Sequence, residues 1–224
     1  MLRFFIALWA SKFAMWVYKL QGRERSDRPG LLAYKICPNF FKYIKKPPLV
    51  ITVTGTNGKS TTSALINNKL VEEGYKVSFN DWGANVFAGF ALNLMRCVNI
   101  FNQSIYDASV LEADERTLDI SMSQIEPNYI LVTNICKDSL RRNGHPEFIF
   151  DIVDRTFNIL GDKTTAILNA NDPISSQLAK NSKSKRVFYG MTDINANPFE
   201  NAVKDIAVCP YCGEEIKYNY KRRI

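Results

Sequence analysis

Ten consecutive residues, Val53-Thr54-Gly55-Thr56-Asn57-Gly58-Lys59-Ser60-Thr61-Thr62, bring together the groups needed to hold a chain of phosphates. Gly55 and Gly58 let a short turn aim its backbone N–H groups at phosphate oxygens, and the positive end of a following helix adds to their field. Lys59 supplies a point charge for the β- and γ-phosphates, the Ser60 hydroxyl suits Mg2+, and Thr61 adds a second hydroxyl at the helix start. The general phosphate-loop pattern asks for glycine five positions before the Gly-Lys pair, where this chain has Val53, so Gly55-Thr56-Asn57-Gly58-Lys59-Ser60 is a variant. A Gly-Lys-Ser triplet is common by chance. It gains meaning only between a strand and a helix.

The flanking residues supply both. Leu49–Thr54 (LVITVT) is a β-rich apolar run, and Ser60–Glu73 has helical spacing with Gly74 as its stop. Downstream the alternation repeats: strand Tyr75–Phe79, helix Ala84–Ile100, strand Ala108–Leu111, helix Leu118–Ile125, strand Tyr129–Asn134, helix Glu147–Leu160, strand Thr165–Asn169, helix Ile174–Ala179 and strand Arg186–Tyr189. Such a series predicts an α/β fold, a mostly parallel sheet covered by helices on both faces. Right-handed crossovers place every strand's C-terminal end, where ligands of such sheets bind, along one edge. Glu112 reaches that edge at the end of its strand, a position that fits a metal ligand or simply the first solvated residue after a strand; Asn134 and Asp138 follow the next strand, and Asn169 and Asp172 the one after. Asn-Asp-Pro is also a turn and N-cap signal in its own right. Asp114 and Glu115 follow Glu112 in the same motif, with nothing local to separate them from surface acids, and His145, the sole histidine, reads as a structural member of a Gly-His-Pro turn.

The composition, 46% hydrophobic and 23% charged over 224 residues with 11 Gly and 9 Pro, excludes collagenous, fibrous and disordered classes. Residues 1–48 carry ten Lys and Arg against two acids, whereas the other 176 residues sum to −1, so the excess positive charge is local and suits an anionic surface. The first 20 residues are apolar and aromatic, but Lys12 interrupts them; Phe4–Ala10 is far short of the ~20 residues that span a bilayer. An amphipathic or partly buried helix with peripheral membrane contact is expected. Five cysteines with a single close pair, Cys209 and Cys212, are no disulfide framework. That pair sits in Cys-Pro-Tyr-Cys-Gly, a turn that aims two thiolates at one cation, half of a four-ligand zinc site.

The segment TGTNGKST (54–61) resembles the ATP-binding loop of the Mur ligase superfamily, which includes the cell-wall amino acid ligases and folylpolyglutamate synthetase. SFNDWGANVFAG (78–89), VLEADE (110–115), TNICKDSLRRNG (133–144), LNANDP (168–173), VFYG (187–190) and CPYCG (209–213) follow in the order of its MurT branch. The resemblance implies a P-loop-type Mur ligase central domain over 47–190, a basic helical segment over 1–46, and the start of a zinc-ribbon insertion over 191–224. It further implies activation of the D-Glu α-carboxylate of lipid II by ATP as an acyl phosphate, then amidation with ammonia from a GatD-type glutaminase partner. Gly55, Thr56, Asn57, Gly58, Lys59, Ser60 and Thr61 carry over as the phosphate cradle. Ser60 and Glu112, with Asn134 and Asp138, carry over as magnesium residues, Asn169 and Asp172 as contacts to adenine and ribose, and Cys209 and Cys212 as zinc ligands. Ser139 and Arg141 depart from the branch's usual residues. The resemblance implies a cytoplasmic protein of a Gram-positive bacterium, working at the inner face of the plasma membrane and binding no nucleic acid. The family's catalytic acid and the second cysteine pair are expected beyond Ile224, leaving these residues with nucleotide affinity at most. A folylpolyglutamate synthetase-like or other Mur-type amino acid ligase, and a zinc-ribbon nucleic-acid binder, are the alternatives.

Overall fold

Among the described residues the β-rich runs form six strands, β1 (Leu49–Thr54), β2 (Val77–Phe79), β3 (Ala108–Glu112), β4 (Tyr129–Val132), β5 (Thr165–Asn169) and β6 (Lys185–Tyr189). They build one sheet in the order β2-β3-β1-β4-β5-β6, and every neighbouring pair is parallel. The α-helices of the described residues are α1 (Leu2–Leu20), α2 (Arg28–Ile36), α3 (Phe40–Tyr43), α4 (Lys59–Glu72), α5 (Phe87–Arg96), α6 (Leu118–Ile125) and α7 (Pro146–Leu160). This computed structural model describes residues 1–23, 26–80, 86–136, 146–191, 208–209 and 212–215.

Strand order and crossover hand together decide where each helix lies. From β1 the chain moves to β2 at one end of the sheet, then returns through β3, past β1 to β4, and on to β5 and β6. With right-handed crossovers, the single outward step puts α4 on one face, and the steps back through α5, α6 and α7 put those helices on the other. The face shared by Val50, Leu111, Ile130, Val132, Ala166 and Leu168 therefore holds the main core, with Phe90 of α5, Met122 of α6 and Phe157 of α7. Among the described residues, the helix on the opposite face is α4, which packs over β1, β2 and β3. Helices thus flank the sheet on both faces, as expected, with Leu131 and Ile167 half-buried and Tyr129 exposed on the α4 side.

The first 46 residues share the main core rather than standing apart from it. Phe4 of α1 packs on Phe40 of α3 with ring centroids 5.3 Å apart, and Phe41 meets Phe87 of α5 at 6.1 Å. Phe40 and Phe41 are fully buried, and truncating either to alanine would cost about 3 to 5 kcal/mol. Helices α2 and α5 cross so closely that a Cβ on Gly30 would stand 1.9 Å from the carbonyl oxygen of Ala88. Lys12, the charge that interrupts the first apolar run, turns inward and donates to the carbonyls of Met95 (2.9 Å) and Val98 (2.6 Å) at the end of α5, where a cation also meets the negative end of the helix dipole. Burial holds its pKa below the usual lysine value. No helix among the described residues is long and apolar enough to cross a membrane.

Candidate functional site

The loop after β1 lies where the direction of chain travel reverses, since β1 is flanked by β3 and β4 while its own crossover leads to β2. A crevice opens at the strand ends of such a reversal, and ligands of open α/β sheets bind in it. Gly55 takes φ +126 and presses against the loop after β4; a Cβ there would meet Thr133 Oγ1 at 2.3 Å and the Asn134 carbonyl oxygen at 2.8 Å. Gly58, at φ +82, forms the N-cap of α4. Both positions demand glycine, because other residues rarely adopt positive φ.

Residues 133–136 clamp the loop in shape. Thr56 N–H donates to the Asn134 carbonyl (2.8 Å), and the Thr133 hydroxyl donates to the Asn57 carbonyl (2.7 Å). The Asn134 amide brackets Asn57, accepting from its N–H at 3.1 Å and donating to its carbonyl at 3.0 Å. The Thr56 hydroxyl donates to the Cys136 carbonyl and accepts from its N–H. With the carbonyls engaged, the backbone N–H groups of Gly58, Lys59, Ser60 and Thr61 have no acceptor among the described residues, and Asn57, Gly58, Ser60 and Thr61 are exposed. Four unspent donors at a helix start make an anion cradle.

Lys59 folds back over its own turn. Its ammonium donates to the carbonyls of Gly55 and Thr56 and pairs with Glu115 Oε2 at 3.1 Å. Glu115, which nothing in its local sequence separates from a surface acid, is only 2% exposed and lies beneath the loop as the countercharge of Lys59. No local signal marks it, because its role depends on the loop of another strand folding over it. Asp114 beside it caps the short 3-10 turn Glu115–Thr117 by accepting from Arg116 N–H at 3.0 Å. Burial raises its pKa, but the bonds and charge of Arg116 outweigh that and hold it below the usual carboxylate range.

Glu112 ends β3 beside Val53, and its backbone is fixed to the end of β2 by Asn80, which accepts from Glu112 N–H (2.7 Å) and donates to its carbonyl (3.0 Å). The residue is 7% exposed, and its carboxylate makes no hydrogen bond or ion pair among the described residues. A nearly buried carboxylate with no fixed partner suits a cation ligand, since isolation in the interior is costly. With the exposed Ser60 hydroxyl, it gives a donor set of hard oxygens that fits Mg2+.

The other expected nucleotide residues have clear positions. Asn169 donates to the Thr133 carbonyl (2.8 Å) and accepts from Asn171 N–H (2.9 Å), bracing the β4 and β5 edge. Asp172 is completely buried; its carboxylate accepts from the N–H of Ile135 (3.0 Å) and Ser175 (2.9 Å) and from the Ser175 hydroxyl. That is the capping role of an Asn-Asp-Pro turn, and it ties the clamp loop to the segment after β5. Asn134 likewise spends its amide on the phosphate turn. Asp138, Ser139, Arg141 and His145 lie outside the described residues. Cys209 and Cys212 occupy a turn in which Cys209 N–H donates to the Glu214 carbonyl (2.7 Å) and Gly213 N–H to the Cys209 carbonyl (2.9 Å). None of the five cysteines forms a disulfide, and no cluster of three or more metal-ligating side chains occurs among the described residues.

The Mur ligase middle domain model matches residues 53–214. The subunit MurT of lipid II isoglutaminyl synthase (glutamine-hydrolyzing) from Staphylococcus aureus is 28% identical over 221 residues, covering 98% of this chain and 49% of that protein. A pseudomurein peptide ligase type C from Methanothermus fervidus superposes with TM-score 0.57 at 26% identity, over 80% of this chain and 34% of the other. MurF from Acinetobacter baumannii matches in fold, with TM-score 0.58 at 17% identity over 75% of this chain and 38% of its own. The chain spans about half the length of the curated relatives it matches, 49% and 47% in the staphylococcal and streptococcal MurT proteins.

Proposed function

The chain belongs to the Mur ligase family and is homologous to MurT, and from that premise we propose that it is the ATP-binding portion of a carbon–nitrogen ligase of peptidoglycan synthesis. The observation that carries the reading is the turn from Gly55 to Thr61, whose lysine and four N–H groups without an acceptor among the described residues sit where the sheet's chain direction reverses. ATP binds with its phosphates on these amides and on Lys59. Glu112 and Ser60 would hold Mg2+, which would supply charge neutralisation between the phosphates and an incoming carboxylate.

The substrate carboxylate is the α-carboxylate of D-Glu in the lipid II stem peptide. One of its oxygens attacks the γ-phosphorus, the bond to ADP breaks, and an acyl phosphate forms. Ammonia from a GatD-type glutamine amidotransferase then attacks the acyl carbon, phosphate leaves with the bonding pair, and the nitrogen loses a proton to give D-isoglutamine. The residues here supply the first half of that demand: a preorganised set of donors for charge that develops on the transferring phosphoryl group. Residues 47–190 form the nucleotide domain, 1–46 its helical flank and 191–224 the start of a ribbon. Cys209 and Cys212 there would offer two thiolates to a structural zinc, which would tie the turn together. The setting is the bacterial cytoplasm, in keeping with the staphylococcal and streptococcal relatives.

Calorimetry with MgATP tests the core of the reading. Binding by the wild-type chain, a loss of at least about tenfold in Lys59→Ala, and no salt-sensitive affinity for DNA are expected. Absence of heat from the folded wild-type chain, or full affinity in Lys59→Ala, would refute it.

A further inference from the structure

Nothing in the proposed ligase chemistry uses the outer face of α1. Leu2, Ile6, Trp9, Phe13, Trp16 and Leu20 recur at alternating steps of four and three, and they are 75%, 48%, 52%, 65%, 57% and 68% exposed. At ~100° per residue they fall within an arc of about 80°, a single stripe about 27 Å long. The opposite side of the helix, with Phe4, Ala7 and Leu8, is buried in the core, so the stripe is not needed to hold α1 in place. A solvent-facing stripe that includes two tryptophans and a phenylalanine is costly unless something covers it.

A second element extends the same patch. Trp9 Nε1 donates to the carbonyl of Ile100 at 2.8 Å, which sets Ile100 and Phe101, 53% and 69% exposed, beside the stripe. The loop that presents Phe101 is fixed: Asn99 Oδ1 accepts from the N–H groups of Phe101 and Gln103, both at 2.9 Å. The Asn102 side chain joins it to the end of α3 through the Tyr43 carbonyl (2.8 Å) and Lys45 N–H (2.9 Å).

The charges around the patch say what covers it. Residues 1–23 contain no acid, and Arg3 and Lys19 flank the stripe on opposite sides of the helix, with Arg23 following. Lys42 and Lys45 are exposed next to the Phe101 loop. Two copies meeting through this face would bring these cations against one another, whereas an anionic bilayer offers them counterions and offers the aromatic rings an interfacial layer. We propose that α1 and the Phe101 loop rest in the interface of an anionic lipid membrane, with α1 lying in its plane, Trp9, Phe13, Trp16 and Phe101 at the boundary of headgroups and acyl chains, and the basic rim among the headgroups. The helix lies on the bilayer and does not cross it. The inference stands independently of the ligase assignment, because it uses no residue of the phosphate turn.

Flotation on a density gradient with vesicles of phosphatidylcholine containing phosphatidylglycerol is the test, with Phe13→Glu/Trp16→Glu as the variant. Neither residue touches the core cluster or the nucleotide turn, so MgATP affinity and the melting profile report an intact fold. The wild-type chain is expected to float. The variant should lose at least about tenfold in partitioning, and phosphatidylcholine vesicles alone or high salt should weaken wild-type binding by about tenfold. The proposal is overturned if the wild-type chain stays at the bottom of the gradient, or if the variant floats as well as the wild type. It is also overturned if sedimentation shows a self-association that the variant abolishes without any flotation. Loss of ATP binding in Lys59→Ala with flotation unchanged would leave this inference standing and bear only on the phosphate turn.

Discussion

The buried pairing of Lys59 with Glu115 makes a double-mutant cycle informative about both stability and binding. At 3.1 Å, with side chains 16% and 3% exposed, the two charges attract by about 5 kcal/mol at an effective dielectric of ~20, and desolvation of both offsets much of that. Lys59→Ala leaves a carboxylate in the interior without its ammonium and is expected to destabilise by about 3 to 4 kcal/mol. Glu115→Gln keeps an acceptor of the same shape and should cost at most about 1 kcal/mol, so the double variant should lie only about 1 to 2 kcal/mol below wild type, a coupling of about 2 to 3 kcal/mol. Urea unfolding followed by circular dichroism reads these values; with a slope of about 2 to 3 kcal/mol per molar, Lys59→Ala shifts the midpoint by about 1 to 2 M and the double variant recovers about half. Nucleotide affinity must not recover with stability. Calorimetry with MgATP should show the double variant as weak as Lys59→Ala, because the ammonium is absent from both. Glu115→Gln alone should bind at least as tightly as wild type, since Lys59 no longer shares its charge. If the two stability effects simply add, Glu115 is not the countercharge of Lys59; if Glu115→Gln binds ATP as poorly as Lys59→Ala, the carboxylate has a direct role in the nucleotide site.

Gly55→Ala forces a Cβ to within 2.3 Å of Thr133 Oγ1 at a positive φ, and it should cost about 2 to 3 kcal/mol with at least about a tenfold loss of ATP affinity, read by urea unfolding and calorimetry. Lys12→Met removes two charge-assisted bonds at the end of α5 and should lower stability by about 2 kcal/mol without changing MgATP affinity; equal loss of both would refute the separation of the helical flank from the site. Asp114 has a depressed pKa in the folded chain, so its contribution is present above the ordinary carboxylate value of ~3.9 and disappears as pH falls through the lower folded value. Urea midpoints measured down to about pH 3 should therefore decline less steeply for Asp114→Asn than for wild type, by a small amount because the Arg116 partner is exposed.

Strand periodicity and the glycine-lysine turn made the sheet and its phosphate loop readable from the residues alone, because both are local signals. Leu49–Thr54 and Thr165–Asn169 form strands with the expected bounds, and α6 does so among the helices. Boundaries shifted where side chains or turns intervene. The helix expected over Ala84–Ile100 is found as Phe87–Arg96, since Asn99 builds a turn with its own side chain. Ile174–Ala179 yields only a 3-10 turn, Ser175–Gln177, with Ala179 at φ +57, because Asp172 caps a short segment that Leu178 then leaves in extended form. The strand expected from Tyr75 begins at Val77, as Tyr75 N–H is used to close α4 against Leu70. Leu65 and Val71 of α4 are apolar yet 64% and 53% exposed, because among the described residues no other helix packs beside α4 on its face of the sheet. What the residues could not announce is non-local: Glu115 beneath Lys59, Thr133 holding Asn57, and the backbone contact at Gly30.

A helix crossing with no side chain between its backbones leaves no slack. Gly30 against Ala88, reinforced by the Lys12 ammonium on the end of α5, makes α1 and α2 a stiff bracket on the sheet rather than a leash. The height and bearing of the phosphate turn above whatever supports α1 are thus set by the folded body. A reactant confined to the same support would be met at one fixed elevation, and inserting residues into the bracket should spoil that alignment even where every contact to the nucleotide survives.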